Sequence, residues 1–236
     1  MAPPSADRRG ALVFLHGSGG NGDDMKEWLE LIQVPGFNES FVELLKTRNV
    51  EVYTPTANVL PYPPCGNSLM HVWFTRQVNW NALGCGGAED LHHTDVSMDA
   101  IANLVDSLEA THDFVVLGGF SMGGCLGLHA LRRRWSTKVK GVFAMGSFLV
   151  SSSQVLTGDL RAKHLPVLMM HGTDDDVTRT EYGAATAKTL VARGVAAQFK
   201  TYEQTAHTVS GHELSDLYEW LVGLASSLQI TNATKT

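Results

Sequence analysis

One serine lies in a sequence pattern that could turn its hydroxyl into a nucleophile. The pattern G-x-S-x-G runs from Gly119 to Gly123, directly behind the apolar run Phe114-Val115-Val116-Leu117 and ahead of a helix-like segment. This order predicts a strand, a tight turn and a helix, with Ser121 at the turn and its hydroxyl in a cleft. The glycines have no Cβ, so strand and helix can approach closely there and leave room for an acyl group. The pattern favours a serine hydrolase.

Such a hydroxyl needs a base, and the base needs an acid that orients it. The predicted turn implies the chain order serine, acid, histidine. Three adjacent aspartates, 174–176, follow one strand-like run, and His207 follows the next. Because parallel strands end at the same edge of a sheet, these side chains are expected beside Ser121. We predict Asp175 as the acid, with Asp174 second and Asp176 third.

Two further expectations concern the groups that compete for these roles. The other two aspartates are expected in a solvated turn whose carboxylates also cap the helix starting near Arg179. His212 competes with His207 for the role of base. Since Ser210-Gly211 is typical of a helix start, His212 would fall in the first turn of a helix over 213–228, so His207 is preferred.

Stabilising the charge that develops on a carbonyl oxygen requires two backbone N–H groups. One is predicted from Met122, the residue after the serine, and the other from the loop behind an early strand. That strand is 11–15, and the glycine-rich loop 16–22 follows it, which makes Ser18 the expected donor. The loop lacks the G-K-[ST] ending of a phosphate-binding P-loop, and it does not match the G-x-G-x-x-G pattern of dinucleotide-binding loops. His16 and His171 are predicted to form structural hydrogen bonds.

The residues carry a family resemblance that covers the chain from Leu12 to about Leu224. The chain resembles the acyl-protein thioesterase and lysophospholipase group of α/β-hydrolases. The matching pieces are Phe14-Leu15-His16-Gly17-Ser18-Gly19, Trp73-Phe74, Gly118 through Gly124, His171-Gly172-Thr173-Asp174-Asp175, and Tyr202 through His207.

By that similarity Ser121 is the nucleophile, Asp175 the acid and His207 the base. Ser18 and Met122 then stabilise the oxyanion, and Gly17, Trp73 and Phe74 line the substrate site. In place of the Trp-Phe-Asp common in the group, this chain has Thr75 after Phe74, so the role of that aspartate is lost or reassigned.

Strand-like and helix-like runs alternate along the chain, which predicts a mostly parallel sheet with helices on both faces. Strands are expected at 11–16, 50–54, near 72–76, 113–118, 139–145, 166–171 and 196–202, and helices within 24–34, 38–48, 92–110, 122–134, 180–193 and 211–228. The fold class is an α/β-hydrolase with a sheet of about six to seven strands. Segment 147–164 is too short for a lid domain. One domain over 11–229 is expected between flexible ends, 1–10 and 230–236.

Composition limits the partners. The net charge of -6 argues against nucleic-acid binding. Cys65, Cys85 and Cys125 lack metal-ligand spacing and are predicted to be reduced thiols, with Cys125 packed. No cofactor or metal is expected.

Neither a secretory signal nor an apolar run of membrane-spanning length is found, so we expect a cytoplasmic protein, with at most transient contact to a membrane surface. A monomer or weak homodimer is predicted.

The predicted activity is hydrolysis of acyl esters or thioesters, with S-acylated proteins among the possible substrates. A short-chain carboxylesterase or lysophospholipase is an alternative, because the same nucleophile cleaves all these bonds. A catalytically silent binding or interaction module on the same fold is a second. A metal hydrolase using His92 and His93 is a third, disfavoured because the pair is adjacent and no H-E-x-x-H is present.

Overall fold

The computed structural model describes residues 8–79 and 86–233. Its centre is a sheet of six strands, all parallel. The strands are β1 (Gly10–Leu15), β2 (Val50–Tyr53), β7 (Phe114–Phe120), β8 (Val139–Met145), β9 (Val167–Gly172) and β10 (Ala197–Tyr202). Their order across the sheet is β10-β9-β8-β7-β1-β2. The predicted parallel sheet of about six to seven strands is confirmed.

The adjacent strands β1 and β7 are buried along their whole length because helices cover both faces of the sheet. Alternate residues of β1 point to opposite faces, so Val13 and Leu15 join one core while Leu12 and Phe14 join the other. The first core contains α3 (Leu91–Glu109), α4 (Met122–His129) and α6 (Thr180–Ala192); the second contains α1 (Gly22–Leu31), α2 (Phe41–Thr47) and α7 (Gly211–Ala233).

Local signals fix where several helices begin. Ser40 and Glu43 form a reciprocal capping box at the start of α2. Asn21 accepts a hydrogen bond from the backbone of Asp24 at the start of α1, and Asp90 caps α3 in the same way through His93. These caps set the helix starts within a few residues of the predicted ranges.

Two β-hairpins were not predicted. Residues 55–71 contain none of the strands or helices predicted above, but β3 (Val59–Tyr62) and β4 (Ser68–His71) pair antiparallel within them. The strand expected near 72–76 is wrong, since strand pairing starts only at β5 (Arg76–Asn79), which pairs with β6 (Gly86–Glu89). Residues 80–85, with the predicted thiol Cys85, lie outside the described residues.

The helix after Ser121 is shorter than predicted, and the segment after β8 contains little regular structure. The helix predicted over 122–134 ends at His129 and continues as one 3₁₀ turn, and segment 147–164 contains only the four-residue α5 (Gln154–Thr157). No lid domain is present among the described residues, as predicted.

Cys125 is buried, and its thiol donates to the Phe148 carbonyl at 2.9 Å. Within the part of the chain that is described, no helix has the length and apolarity needed to cross a membrane.

Candidate active site

Ser121 lies at the sharp turn between β7 and α4, as the glycine pattern predicted. Its backbone has φ 53 and ψ -119, a conformation that a residue with a side chain rarely adopts. Two contacts hold it there. The Ser121 N–H donates to the Met145 carbonyl at 2.8 Å, and the Ser147 hydroxyl lies 2.8 Å from the Ser121 carbonyl oxygen. The neighbouring strand therefore fixes the strained turn.

The glycines beside Ser121 permit a close approach of α4 and β7 to β1. A Cβ on Gly119 would lie 2.2 Å from the Leu15 carbonyl oxygen, and a Cβ on Gly123 would lie equally close to it, at 2.2 Å. Real Cβ atoms do not approach so near, so both positions require glycine. The spacing of the motif thus reflects packing as well as access to the hydroxyl.

His207 reaches the serine hydroxyl directly. Its Nε2 lies 3.0 Å from Ser121 Oγ, and its Nδ1 lies 2.7 Å from Asp175 Oδ2. The imidazole packs against the Phe120 ring at 4.7 Å between ring centroids. Gly146 also lies close to the imidazole, since an added Cβ there would lie 3.3 Å from His207 Nδ1. The ring is held in the geometry in which Nδ1–H donates to Asp175 and Nε2 accepts from the serine.

Asp175 is buried, and its carboxylate accepts hydrogen bonds on both oxygens. Oδ1 accepts from the backbone N–H groups of Val177 and Thr178, at 3.0 and 2.7 Å. Oδ2 faces His207, the Thr178 hydroxyl at 2.9 Å and His171 Nε2 at 3.2 Å. Burial opposes ionisation of this carboxyl, but the bonds from His171, His207 and the Thr178 backbone outweigh it and lower its pKa.

The competing residues lie elsewhere. Asp174 and Asp176 are exposed, as expected for a solvated turn. Neither carboxylate caps the following helix. The N-cap position of α6 is Arg179, and no side chain there accepts a capping hydrogen bond, so the expected capping by these aspartates is wrong. His212 is exposed in the first turn of α7, as predicted.

Backbone hydrogen bonds join the loop of the acid to the loop of the histidine. The Thr173 N–H donates to the Tyr202 carbonyl at 2.9 Å, and the Asp174 N–H donates to the Thr205 carbonyl at 3.0 Å. Both loops continue paired strands, β9 and β10. The separation of Asp175 and His207 is therefore set by the edge of the sheet.

The glycine-rich loop lies against the serine. A Cβ on Gly17 would lie 3.2 Å from Ser121 Cβ. Ser18 is exposed, and its N–H makes no hydrogen bond to the described residues, while Met122 is the first residue of α4, where N–H groups lack partners within the helix. Both predicted oxyanion donors thus border the same region, and their role stays a prediction.

Hydrogen bonds from His16, Trp73 and strand β4 support this loop. His16 Nε2 accepts from the Ala57 N–H at 3.0 Å, and its other nitrogen lies 2.7 Å from the Gly17 carbonyl. The Trp73 indole N–H donates to the His16 carbonyl at 2.8 Å, and the Gly19 N–H donates to the His71 carbonyl at 2.8 Å. Burial lowers the pKa of His16. His16 is therefore the structural hydrogen bonder that the sequence predicted.

Trp73 and Phe74 are buried in the core, whereas side chains that contact a substrate would be expected at the surface of the site. Both are buried in the core that contains α3 and α4, with 3% and 0% exposure. Trp73 acts on the site through the loop that it holds. Substrate contact by either ring stays a prediction.

Sequence reasoning missed Ser147 and Thr178. Ser147 braces the strained turn, and Thr178 contacts the acid through both its N–H and its hydroxyl. A signal for Thr178 exists, since an aspartate commonly bonds to the backbone two and three residues ahead. No local pattern could indicate Ser147, which lies on another strand end.

The described residues contain no group of three His, Cys, Asp or Glu side chains that could hold a metal ion. His93 instead contacts Thr75 at 3.0 Å and Asp90 at 3.3 Å, and His92 is exposed. The adjacent pair is part of the start of α3.

A parallel six-stranded sheet with helices on both faces and a serine at the β7–α4 turn defines the class of α/β-hydrolases. The chain belongs to the phospholipase/carboxylesterase family, whose model matches residues 1–224.

Relatives and solved structures agree with this assignment. The chain is 30% identical over 228 residues to lysophospholipase-like protein 1 of Mus musculus, covering 94% of this chain and 90% of the relative. It is 25% identical to acyl-protein thioesterase 1 homolog 1 of Dictyostelium discoideum, covering 86% and 85%. The crystal structure of Zea mays acyl-protein thioesterase 2 superposes with a TM-score of 0.73 at 23% identity, over 95% of this chain and 97% of that one.

Proposed function

We propose that Ser121, His207 and Asp175 form a catalytic triad that hydrolyses acyl thioesters and esters, with S-acylated proteins as the substrate class. The observation that carries the proposal is the continuous pair of contacts, 3.0 Å from serine to histidine and 2.7 Å from histidine to aspartate. Those distances suit proton transfer from the hydroxyl to the imidazole.

The first step is acylation. His207 Nε2 takes the proton from Ser121 as its oxygen attacks the carbonyl carbon, and Asp175 stabilises the imidazolium that forms. The N–H groups of Ser18 and Met122 stabilise the oxyanion. The carbon–sulfur or carbon–oxygen bond then breaks, and the imidazolium gives its proton to the leaving alcohol or thiolate, which restores the neutral His207 that the next step needs.

The second step is hydrolysis of the acyl-enzyme. His207 Nε2 takes a proton from water, whose oxygen attacks the acyl carbon. Collapse of the second tetrahedral intermediate releases the carboxylic acid, and His207 returns the proton to Ser121. The residues present are sufficient for both steps.

The surroundings of the serine favour a large acyl substrate. Hairpin β3–β4 borders the glycine-rich loop, because Gly19 bonds to His71 and lies close to Met70. Val59 and Leu69 on that hairpin are 52% and 72% exposed. Residues 52–75 contain no Asp, Glu, Lys or Arg. An acyl chain leaving the serine along this surface would meet apolar side chains without desolvating a charge.

The names of relatives support the protein substrate. Several curated relatives are called acyl-protein thioesterase, at 23 to 25% identity. Another relative, from rice, is called a probable carboxylesterase, at 25% identity. Ester cleavage by the same nucleophile follows from the mechanism.

Labelling with a fluorophosphonate tests the triad. Wild type is expected to react covalently and to lose activity. Ser121→Ala is expected to be inactive before treatment and to remain unlabelled. Ser107→Ala is the matched control, since Ser107 is exposed near the far end of α3, and it should label like wild type. Failure of the wild type to label would indicate a silent binding module.

A substrate series tests the class. Matched ester and thioester substrates of increasing acyl length, and an S-acylated peptide, are compared by kcat/KM. We expect values that rise with chain length and cleavage of the S-acylated peptide. Activity confined to short esters would instead assign a short-chain carboxylesterase.

A further inference from the structure

A second histidine contacts the carboxylate that the proposed mechanism uses. His171 is the last residue but one of β9, four residues before Asp175, and its side chain is completely buried. Its Nε2 lies 3.2 Å from Asp175 Oδ2, the oxygen that also faces His207. The two imidazoles therefore share one carboxylate oxygen.

The contacts define which ring nitrogen of His171 carries the proton. Nε2 faces the Thr178 carbonyl oxygen at 2.6 Å as well as Asp175, and both are acceptors. Nδ1 is buried and has no hydrogen-bond partner among the described residues. It points at the backbone of Gly183, where an added Cβ would lie 2.5 Å from it. Only the form protonated on Nε2 satisfies this arrangement.

We propose that His171 is a positioning residue for the reaction, acting through Asp175. Its Nε2–H donates to the Thr178 carbonyl at 2.6 Å and lies 3.2 Å from Asp175 Oδ2, so this positive N–H edge fixes the carboxylate orientation that His207 needs. It also withdraws electron density from the oxygen that stabilises the imidazolium. This inference rests on the proposed function, since it assigns a role within the same triad.

Other groups do not replace this donor. The Thr178 hydroxyl has one proton, and it lies within hydrogen-bond distance of both Asp175 Oδ2, at 2.9 Å, and the Gly146 carbonyl, at 3.0 Å. The backbone donors bond to Oδ1 only. Glu213, buried at the start of α7, is the other charged group that acts on His171 and Asp175, and burial raises its pKa. It is unchanged in every variant below.

Loss of the His171 donor has a signature that loss of packing lacks. With fewer donors on Oδ2, the carboxylate becomes a stronger acceptor and stabilises the His207 imidazolium more. The acidic limb of the pH profile of kcat/KM, which reports the base, should then move to higher pH. A packing defect alone would lower the amplitude of the profile without moving its limb.

The test compares His171→Phe, which keeps a ring and removes the donor, with His171→Gln, whose amide N–H can donate near the position of Nε2. We expect the Phe variant to lose about tenfold or more in kcat/KM, mainly in kcat, with the acidic limb raised. The Gln variant should recover much of both. His112→Phe is the control. His112 is also buried, but it precedes β7, whereas Ser121 follows the other end of that strand.

The pH dependence of fluorophosphonate labelling gives the same readout without turnover, and thermal unfolding of each variant monitors the fold. An unmoved limb in a folded Phe variant overturns the inference, as does a Gln variant that behaves like the Phe variant. If His171→Phe does not fold, His171→Leu replaces it. If neither folds while His171→Gln does, the residue serves the fold alone, which also overturns the inference. An inert wild type would instead refute the proposed function.

Discussion

At the scale of single residues, burial separates the acid from its neighbours. Three aspartates follow one another in the chain, yet only Asp175 turns into the interior, where five donors surround its carboxylate. The serine and the histidine could be predicted because glycines and chain order mark them. Asp175 is the first choice among the three aspartates, but Asp174 and Asp176 remain alternatives, since nothing in the local sequence distinguishes a buried aspartate from two exposed ones.

Replacing Asp175 by Asn should reduce kcat by roughly three to four orders of magnitude, because an amide can hold His207 in the wrong tautomer. Asp174→Asn is the matched control, since Asp174 is the adjacent, exposed aspartate, and it should keep wild-type kcat. Steady-state hydrolysis of a chromogenic ester measures both. Equal losses in the two variants would contradict the assignment of the acid.

At the scale of elements, the strands and helices of the main sheet were predictable, whereas the two hairpins were not. The buried strands are long apolar runs, and the helices have caps and apolar faces. Hairpin β3–β4 has four-residue strands, and its sequence is rich in proline and small polar residues. Such a composition resembles a loop, so only the pairing with a neighbouring strand reveals its structure.

The turn that carries Ser121 depends on glycine at strand β7. Gly119→Ala should destabilise the protein by about 1–3 kcal/mol or more, because its Cβ would collide with the Leu15 carbonyl. Gly223→Ala is the opposite case. It lies within α7 with no atom near an added Cβ, so it should stabilise by about 0.5–1 kcal/mol. Urea unfolding of the two variants measures the difference, and equal effects would contradict the close approach.

Hairpin β3–β4 should determine acyl-chain preference. Leu69→Asn should raise KM for long-chain substrates and leave short esters unaffected, because it removes apolar surface beyond the reacting carbonyl. Val191→Asn is the control, since Val191 is also exposed, at 54%, but lies in the last turn of α6, away from the site. A loss that is the same for every chain length would place the acyl group elsewhere.

At the scale of the whole molecule, two cores on opposite faces of one sheet hold the site at a single edge. Each proposed functional group lies just past the end of a strand: the glycine-rich loop after β1, Ser121 after β7, Asp175 after β9 and His207 after β10. The parallel direction of the strands brings these ends together. Segments far apart in the chain therefore meet without any long-range signal in the sequence beyond the alternation of strands and helices.

This arrangement links the site to the stability of the fold. The pKa of Asp175 is lowered in the folded protein, whereas in the unfolded chain an aspartate has a pKa of about 3.9. The unfolded state therefore gains a proton first as the pH falls. The stability that the ionised carboxylate contributes is complete above about pH 5 and is lost as the pH falls toward the folded-state pKa.

Asp175→Asn should accordingly show a shallower loss of unfolding free energy between about pH 5 and pH 2 than wild type. Asp174→Asn should keep the wild-type slope, because that side chain is exposed. Chemical unfolding across this pH range supplies the three slopes. If the two variants lose stability in parallel with wild type, the hydrogen bonds around Asp175 do not favour its ionised form, and the charge that the mechanism assigns to it would be wrong.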